Sequence, residues 1–179
     1  MISRDTPLPD LAAAVCDACL AEGIAVVLSG GACVSIYTEN RYASYDLDFV
    51  LEFPVGRRRI GTVMKSLGFS EDGRHFRHPR TPYIVEFLSP PLSVGEEPVR
   101  EVREIRRGGL TLRLLSPTDC VKDRLAAFYY WNDRPSLDQA VLVCRGHAVD
   151  LREVRRWSSN EGMKDKHEAF RKRLSGARP

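Results

Sequence analysis

The spacing of apolar positions changes several times along the chain, and each change marks an element. Apolar residues recur at helical spacing from Asp10 to Glu22, and Gly23 ends the run, which predicts a first helix over 10–22. Short runs rich in β-branched and aromatic residues predict strands over 24–28, 46–53 and 83–88. A helix over 32–38 joins the first two, and another over 57–67 follows the break at Pro54 and Gly56. Asp72-Gly73 reads as the turn of a hairpin between 69–71 and 75–77. Over 99–105, Val, Val and Ile alternate with Arg and Glu, and Gly108-Gly109 turns this wet-faced strand into another over 110–115.

Beyond Leu115 the period becomes helical. Ser116-Pro117-Thr118-Asp119 has a serine cap, a proline in the first turn and an acid three residues on, which starts a helix carrying Val121, Leu125, Phe128 and Tyr129. Further helices are expected over 137–145, after Asp150, and over 163–174. The expected class is α+β (mixed α/β), with a core over 1–115 and a helical region with a basic tail over 116–179.

Composition narrows the setting. The chain has 179 residues, enough for one domain with a real core or a core plus a helical appendage. No apolar run reaches the eighteen or so residues of a membrane span, and no signal-like segment opens the chain, so a cytoplasmic protein is expected. The five cysteines do not form a secreted disulfide framework. Cys16 and Cys19 have CxxC spacing without the further ligands that zinc needs, so buried reduced thiols are expected. His75 and His78 flank a turn-rich, arginine-rich loop and read as surface residues.

Two stretches carry candidate chemistry. Asp46 and Asp48 stand at i and i+2 on a strand, so both carboxylates face one spot. Such a pair suits Mg²⁺ or Mn²⁺, hard cations that favour oxygen ligands and retain bound phosphates as partners. Ser29, Gly30 and Gly31 lie between a strand and a helix, where backbone N–H groups cradle phosphate oxygens. A helix of about nine residues rises roughly 13 Å, and six extended residues span up to about 20 Å back, so the two stretches can meet. Glu86 is the one acid in an otherwise apolar strand, a position that is costly unless the carboxylate is paired or bound to metal.

The run from Leu28 to Tyr37 (LSGGACVSIY), followed by Tyr42 to Val50 (YASYDLDFV), resembles the signature of the nucleotidyltransferase superfamily. Within it the chain looks most like small proteins related to the abortive-infection toxins of bacterial type IV toxin–antitoxin systems, over residues 10 to 145. The segment from Ser116 to Phe128 (SPTDCVKDRLAAF) carries a second resemblance, to a Ser-Pro-x-Asp start followed by a helix bearing Lys-Leu-x-Ala. The resemblance implies a nucleotidyltransferase-like mixed sheet flanked by helices, with Asp46, Asp48 and Glu86 as metal ligands. Glu86 would also help deprotonate the attacking hydroxyl.

It further implies a triphosphate-holding basic residue, and here Arg124 stands in the usual lysine slot with Lys122 two residues earlier. Arginine grips phosphate as a planar fork and does not replace a lysine point charge like for like. Asp133 and Asp138 are both candidates for a later acid that helps form the site.

The implied activity moves a nucleoside monophosphate from an NTP to a hydroxyl of RNA, such as a tRNA end, or of protein. A cognate antitoxin is the implied partner. The arginine substitution motivates an alternative, a nucleotide-binding or toxin–antitoxin partner protein with a degenerate site. A third reading, a plain RNA-binding module, draws on charge: residues 152–179 hold nine Lys/Arg against four acids, whereas the whole chain nets only +3. Tyr129, Tyr130 and Trp131 either stack bases or pack helices.

Overall fold

The computed structural model describes residues 2–176, so Arg178 of the basic C-terminal run lies outside the described residues. In α1 (Leu8–Ala21), Leu8, Leu11, Ala12, Val15, Cys16 and Cys19 share one buried stripe. Gly23, at φ +67°, turns the chain into β1 (Val26–Ser29), which is buried along its whole length. Next come α2 (Gly30–Tyr37), β2 (Asp46–Leu51), α3 (Arg57–Ser66), β3 (Ser70–Asp72), β4 (His75–Arg77) and β5 (Ile84–Leu88). A two-stranded hairpin, β6 (Ser93–Val94) and β7 (Glu97–Pro98), precedes β8 (Val102–Arg107) and β9 (Leu110–Leu115). The last four helices are α4 (Pro117–Trp131), α5 (Arg134–Gly146), α6 (Leu151–Asn160) and α7 (Lys164–Gly176).

Seven strands form one mixed sheet in the order β3-β4-β5-β2-β1-β9-β8. Strand β1 pairs antiparallel with β2 and parallel with β9, while β2 pairs parallel with β5. The class is therefore α+β with a mixed sheet, as the hydrophobic pattern predicts. Helix α1 runs along β8 and β9, where Asp17 accepts from the Thr111 N–H at 2.9 Å and Asp10 pairs with Arg107 at 2.9 Å. Over β3 and β4, Arg57 of α3 reaches Glu71 at 2.6 Å and lies 4.8 Å above the Phe76 ring.

Strand burial decides where a site can form. In β2, β4 and β5 one face is buried, with Phe87 stacked on Phe49 and meeting Phe76 edge-on. The alternating positions on the opposite face are exposed or half-buried. That face of three adjacent strands is the open side of the sheet.

Two departures from the sequence reading have clear causes. Helix α2 begins at Gly30 rather than 32, because Gly30 at φ +65° turns the strand directly into the helix. The β6–β7 hairpin had no hydrophobic alternation to announce it and is held by side chains of α6. Glu97 receives both terminal nitrogens of Arg156 at 2.9 and 2.5 Å, and the Trp157 indole donates to the Val94 carbonyl at 3.1 Å.

All five cysteines are free, and burial pushes the Cys16 thiol up to about 11 and that of Cys19 to about 12. No helix among the described residues is long and apolar enough to cross a membrane.

Candidate active site

The candidate residues on the sheet converge. Register pairs Ser29 with Asp48, Asp48 with Glu86, and Glu86 with His75, so one row of four side-chain positions crosses strands β1, β2, β5 and β4. Asp46 lies two residues before Asp48 on the same face. Three carboxylates thus share the open side of the sheet.

Neither the Asp46 nor the Asp48 carboxylate has an ion-pair or hydrogen-bonding partner among the described residues, although their backbone groups bond Ser44 and Ser29. The Asp48 carboxyl is raised from 3.8 to about 6, first by burial and then by the charges of Glu86 and Asp46, while Arg124 opposes the rise. This is an uncompensated negative site with only oxygen donors, which fits a hard divalent cation. Among the described residues no three His, Cys, Asp or Glu side chains form a ready-made metal cluster. The Glu86 carboxylate is turned instead toward Arg74 and His75, each at 3.4 Å. The Asp46 and Asp48 side chains supply the fit; Glu86 joins them only by leaving these two partners.

The same geometry requires glycine at 30 and crowds position 31. A Cβ on Gly30 would stand 2.7 Å from Asp48 Oδ2, and one on Gly31 would meet Ser44 Oγ at 3.2 Å and Tyr42 Cε1 at 3.3 Å. Ser29 is buried and its hydroxyl donates to the Asp48 carbonyl at 3.2 Å. It therefore caps none of the first-turn N–H groups of α2, which remain available to an anion beside the carboxylates.

Helix α4 supplies the cation. The Arg124 guanidinium is gripped by Asp123, whose Oδ2 accepts from Nε at 2.9 Å and Nη2 at 2.6 Å, and Nη1 reaches Gln139 at 3.5 Å. Both Asp123 and Arg124 are close enough for their charges to act on Asp48.

Three sequence candidates are engaged elsewhere. Lys122 is buried and bridges Asp119 at 2.9 Å and Glu153 at 3.1 Å, two residues round the helix from Arg124 and on a different face. Asp138 accepts from Arg173 of α7 at 2.8 Å. The other later acid, Asp133, accepts from Ser136 at 2.6 Å. None of the three joins the row of carboxylates. The Ser-Pro-x-Asp start serves this buried network too, since Ser116 donates to Asp119 Oδ2 at 3.1 Å.

Three residues at the site escaped the sequence reading. His75 is in the expected hairpin strand, now β4, but it is a half-buried neighbour of Glu86 rather than a surface residue, with a buried Nδ1 lying 3.4 Å from Glu86 Oε2 without hydrogen-bond alignment. Asp123 and Gln139, which hold Arg124, have no motif of their own. The Tyr-Tyr-Trp run splits: Tyr129 is buried and stacked on Trp157 at 5.6 Å, whereas Trp131 is 77% exposed.

No protein-family model matches the chain, and no curated protein matches its sequence. A solved structure of an antigenic nucleotidyltransferase-like protein from Paracoccidioides brasiliensis is similar to it, with a TM-score of 0.61 at 15% identity over 94% of each chain. The antibiotic-resistance factor ANT(2'')-Ia, solved in solution, has a TM-score of 0.49 at 14% identity, over 91% of this chain and 90% of its own. Its crystal structure in complex with adenylyl-2''-tobramycin has a TM-score of 0.49 at 15% identity, over 91% and 96%. The first likeness gives the chain a nucleotidyltransferase-like fold.

Proposed function

We propose that the protein is a nucleotidyltransferase that moves a nucleoside monophosphate from an NTP to an acceptor hydroxyl. The observation that carries this reading is the row of Asp48 and Glu86, with Asp46 beside it, on the open sheet face next to the glycine-opened start of α2. The first-turn N–H groups of α2 hold phosphate oxygens, and Arg124 faces the charge that develops on the leaving group. Asp46 and Asp48, joined by Glu86, would hold Mg²⁺ or Mn²⁺, which when bound polarises the phosphate and lowers the acidity barrier of the acceptor. Glu86, once turned from Arg74 and His75 toward the aspartates, takes the acceptor proton. The acceptor oxygen forms a bond to the α-phosphorus, the bond to the bridging oxygen breaks, and pyrophosphate leaves with its electron pair.

On this reading the hydroxyl belongs to RNA or protein, and the resemblance to abortive-infection proteins extends the proposal to a toxin restrained by a cognate antitoxin. Calorimetric titration of the four NTPs, with and without Mg²⁺, tests the site on wild type and on the Asp46→Asn/Asp48→Asn variant. Metal-dependent binding that disappears in the variant supports it. Equal binding with and without metal favours the second reading, nucleotide binding without turnover, which draws on Arg124 being already engaged by Asp123.

A further inference from the structure

We infer that the groove between α6 and α7 binds the phosphate backbone of single-stranded RNA. As a binding site the groove stands on its own geometry; its role, presenting RNA as the acceptor, rests on the function proposed above.

The two helices are joined by the short turn at 161–163 and bury Val154, Trp157 and Phe170 between them and the rest of the molecule. Two cavities of about 310 and 330 Å³ lie along their outer seam and share Arg155, His167, Glu168 and Arg171 as walls. Lys172 lines the first and Lys164 the second, so cations reach both ends of the track. Four cations thus face one carboxylate, Glu168, which pairs with Arg171 at 3.1 Å. The side chains of Arg155, Lys164 and Lys172 have no ion-pair or hydrogen-bonding partner among the described residues. Burial, and then the nearby Arg171 and Arg155, push the His167 imidazole below its ordinary value, as expected in a positive field.

The shape selects among anions. From Leu151 to Ser159 the groove runs for about 12 Å along α6, too long for a single phosphate and suited to two or three consecutive ones. Guanidinium forks at Arg155 and Arg171 match phosphate bidentately. Ser159 lines one cavity and Ser175 the other, each donating its hydroxyl proton to a carbonyl of its own helix, so the cations carry the recognition. An isolated cation has no counterpart in this wall, and Leu151, Phe170 and Leu174 give the first cavity an apolar side against which bases can lie.

Fluorescence anisotropy with a labelled oligouridylate of about 20 nucleotides reads the proposal directly. With a local charge near +3, log affinity should fall against log salt with a slope of about −2. Arg155→Glu/Arg171→Glu should weaken binding at least about tenfold and flatten that slope, and the milder Lys164→Gln/Lys172→Gln should lose a few-fold. Circular dichroism confirms that each variant is folded, and the milder pair decides if the charge reversal does not fold.

Absence of RNA binding at low salt, or binding that both variants retain in full, would overturn the inference. Displacement of the RNA by poly-glutamate as readily as by unlabelled RNA would overturn it as well, since the groove would then recognise acidic chains in general. NTP titration of the same groove variants keeps the two readings apart: they should bind Mg²⁺-NTP as wild type does, whatever happens to RNA.

Discussion

At the scale of single residues, the site carries its cost openly. Asp48 loses its proton near 3.8 when unfolded but only near about 6 in the fold. Between these values the native state holds more protons than the unfolded one, so stability falls as pH rises through the window, and the deficit is complete above it. Asp48→Asn should therefore be more stable than wild type at pH 7, by up to about 3 kcal/mol, and equal to it near pH 3. Urea midpoints at the two pH values check this, and Mg²⁺ should close the gap by stabilising wild type alone. Equal midpoints at pH 7 would remove the electrostatic account of the site.

Gly30 and Gly31 separate a backbone requirement from a packing one. Alanine at 30 needs a left-handed backbone, costing roughly 1–2 kcal/mol, and drives a methyl against Asp48 Oδ2. Alanine at 31 meets only the ends of two side chains, which can give way. Gly30→Ala should lower both stability and nucleotide affinity, and Gly31→Ala should cost under about 1 kcal/mol of stability. The reverse order in thermal melts would contradict this assignment.

At the scale of elements, α4 serves two purposes on two faces. Arg124 looks toward the carboxylates, whereas Lys122 sits in a buried network with Asp119 and Glu153 that ties α4 to α6. Removing Lys122 leaves the buried Asp119 carboxylate without its cation, while Glu153 keeps Arg156 at 2.6 Å. Lys122→Ala is expected to cost about 3–5 kcal/mol of stability while leaving the nucleotide affinity of the folded protein unchanged, measured by chemical denaturation and calorimetry. A large affinity loss in a stable variant would return Lys122 to the nucleotide site.

Across the whole molecule, what was legible in the sequence follows from what is local. Period, glycine and proline punctuation mark most helices and strands, and two aspartates at i and i+2 declare their shared face without any tertiary knowledge. Glu86 was readable because a lone acid in an apolar strand demands a reason. His75 was not, because its place beside Glu86 depends on β4 pairing with β5, a register that short strands leave undeclared. Lys122 and Arg124 look interchangeable in sequence; only the packing of α4 against α6 separates their faces. The β6–β7 hairpin owes its existence to charges on α6 almost sixty residues away, beyond the reach of any local pattern.

The order of strands has a consequence for how the chain acquires its site during synthesis. Strands β1, β2 and β5 are finished by Leu88, so the carboxylate row can assemble while β1 still lacks its neighbour β9 at 110–115. That neighbour arrives only later, and the helix bearing Arg124 later still. A growing chain therefore holds its acids before the cation that faces them, and the proposed transfer waits on the last-made third of the protein.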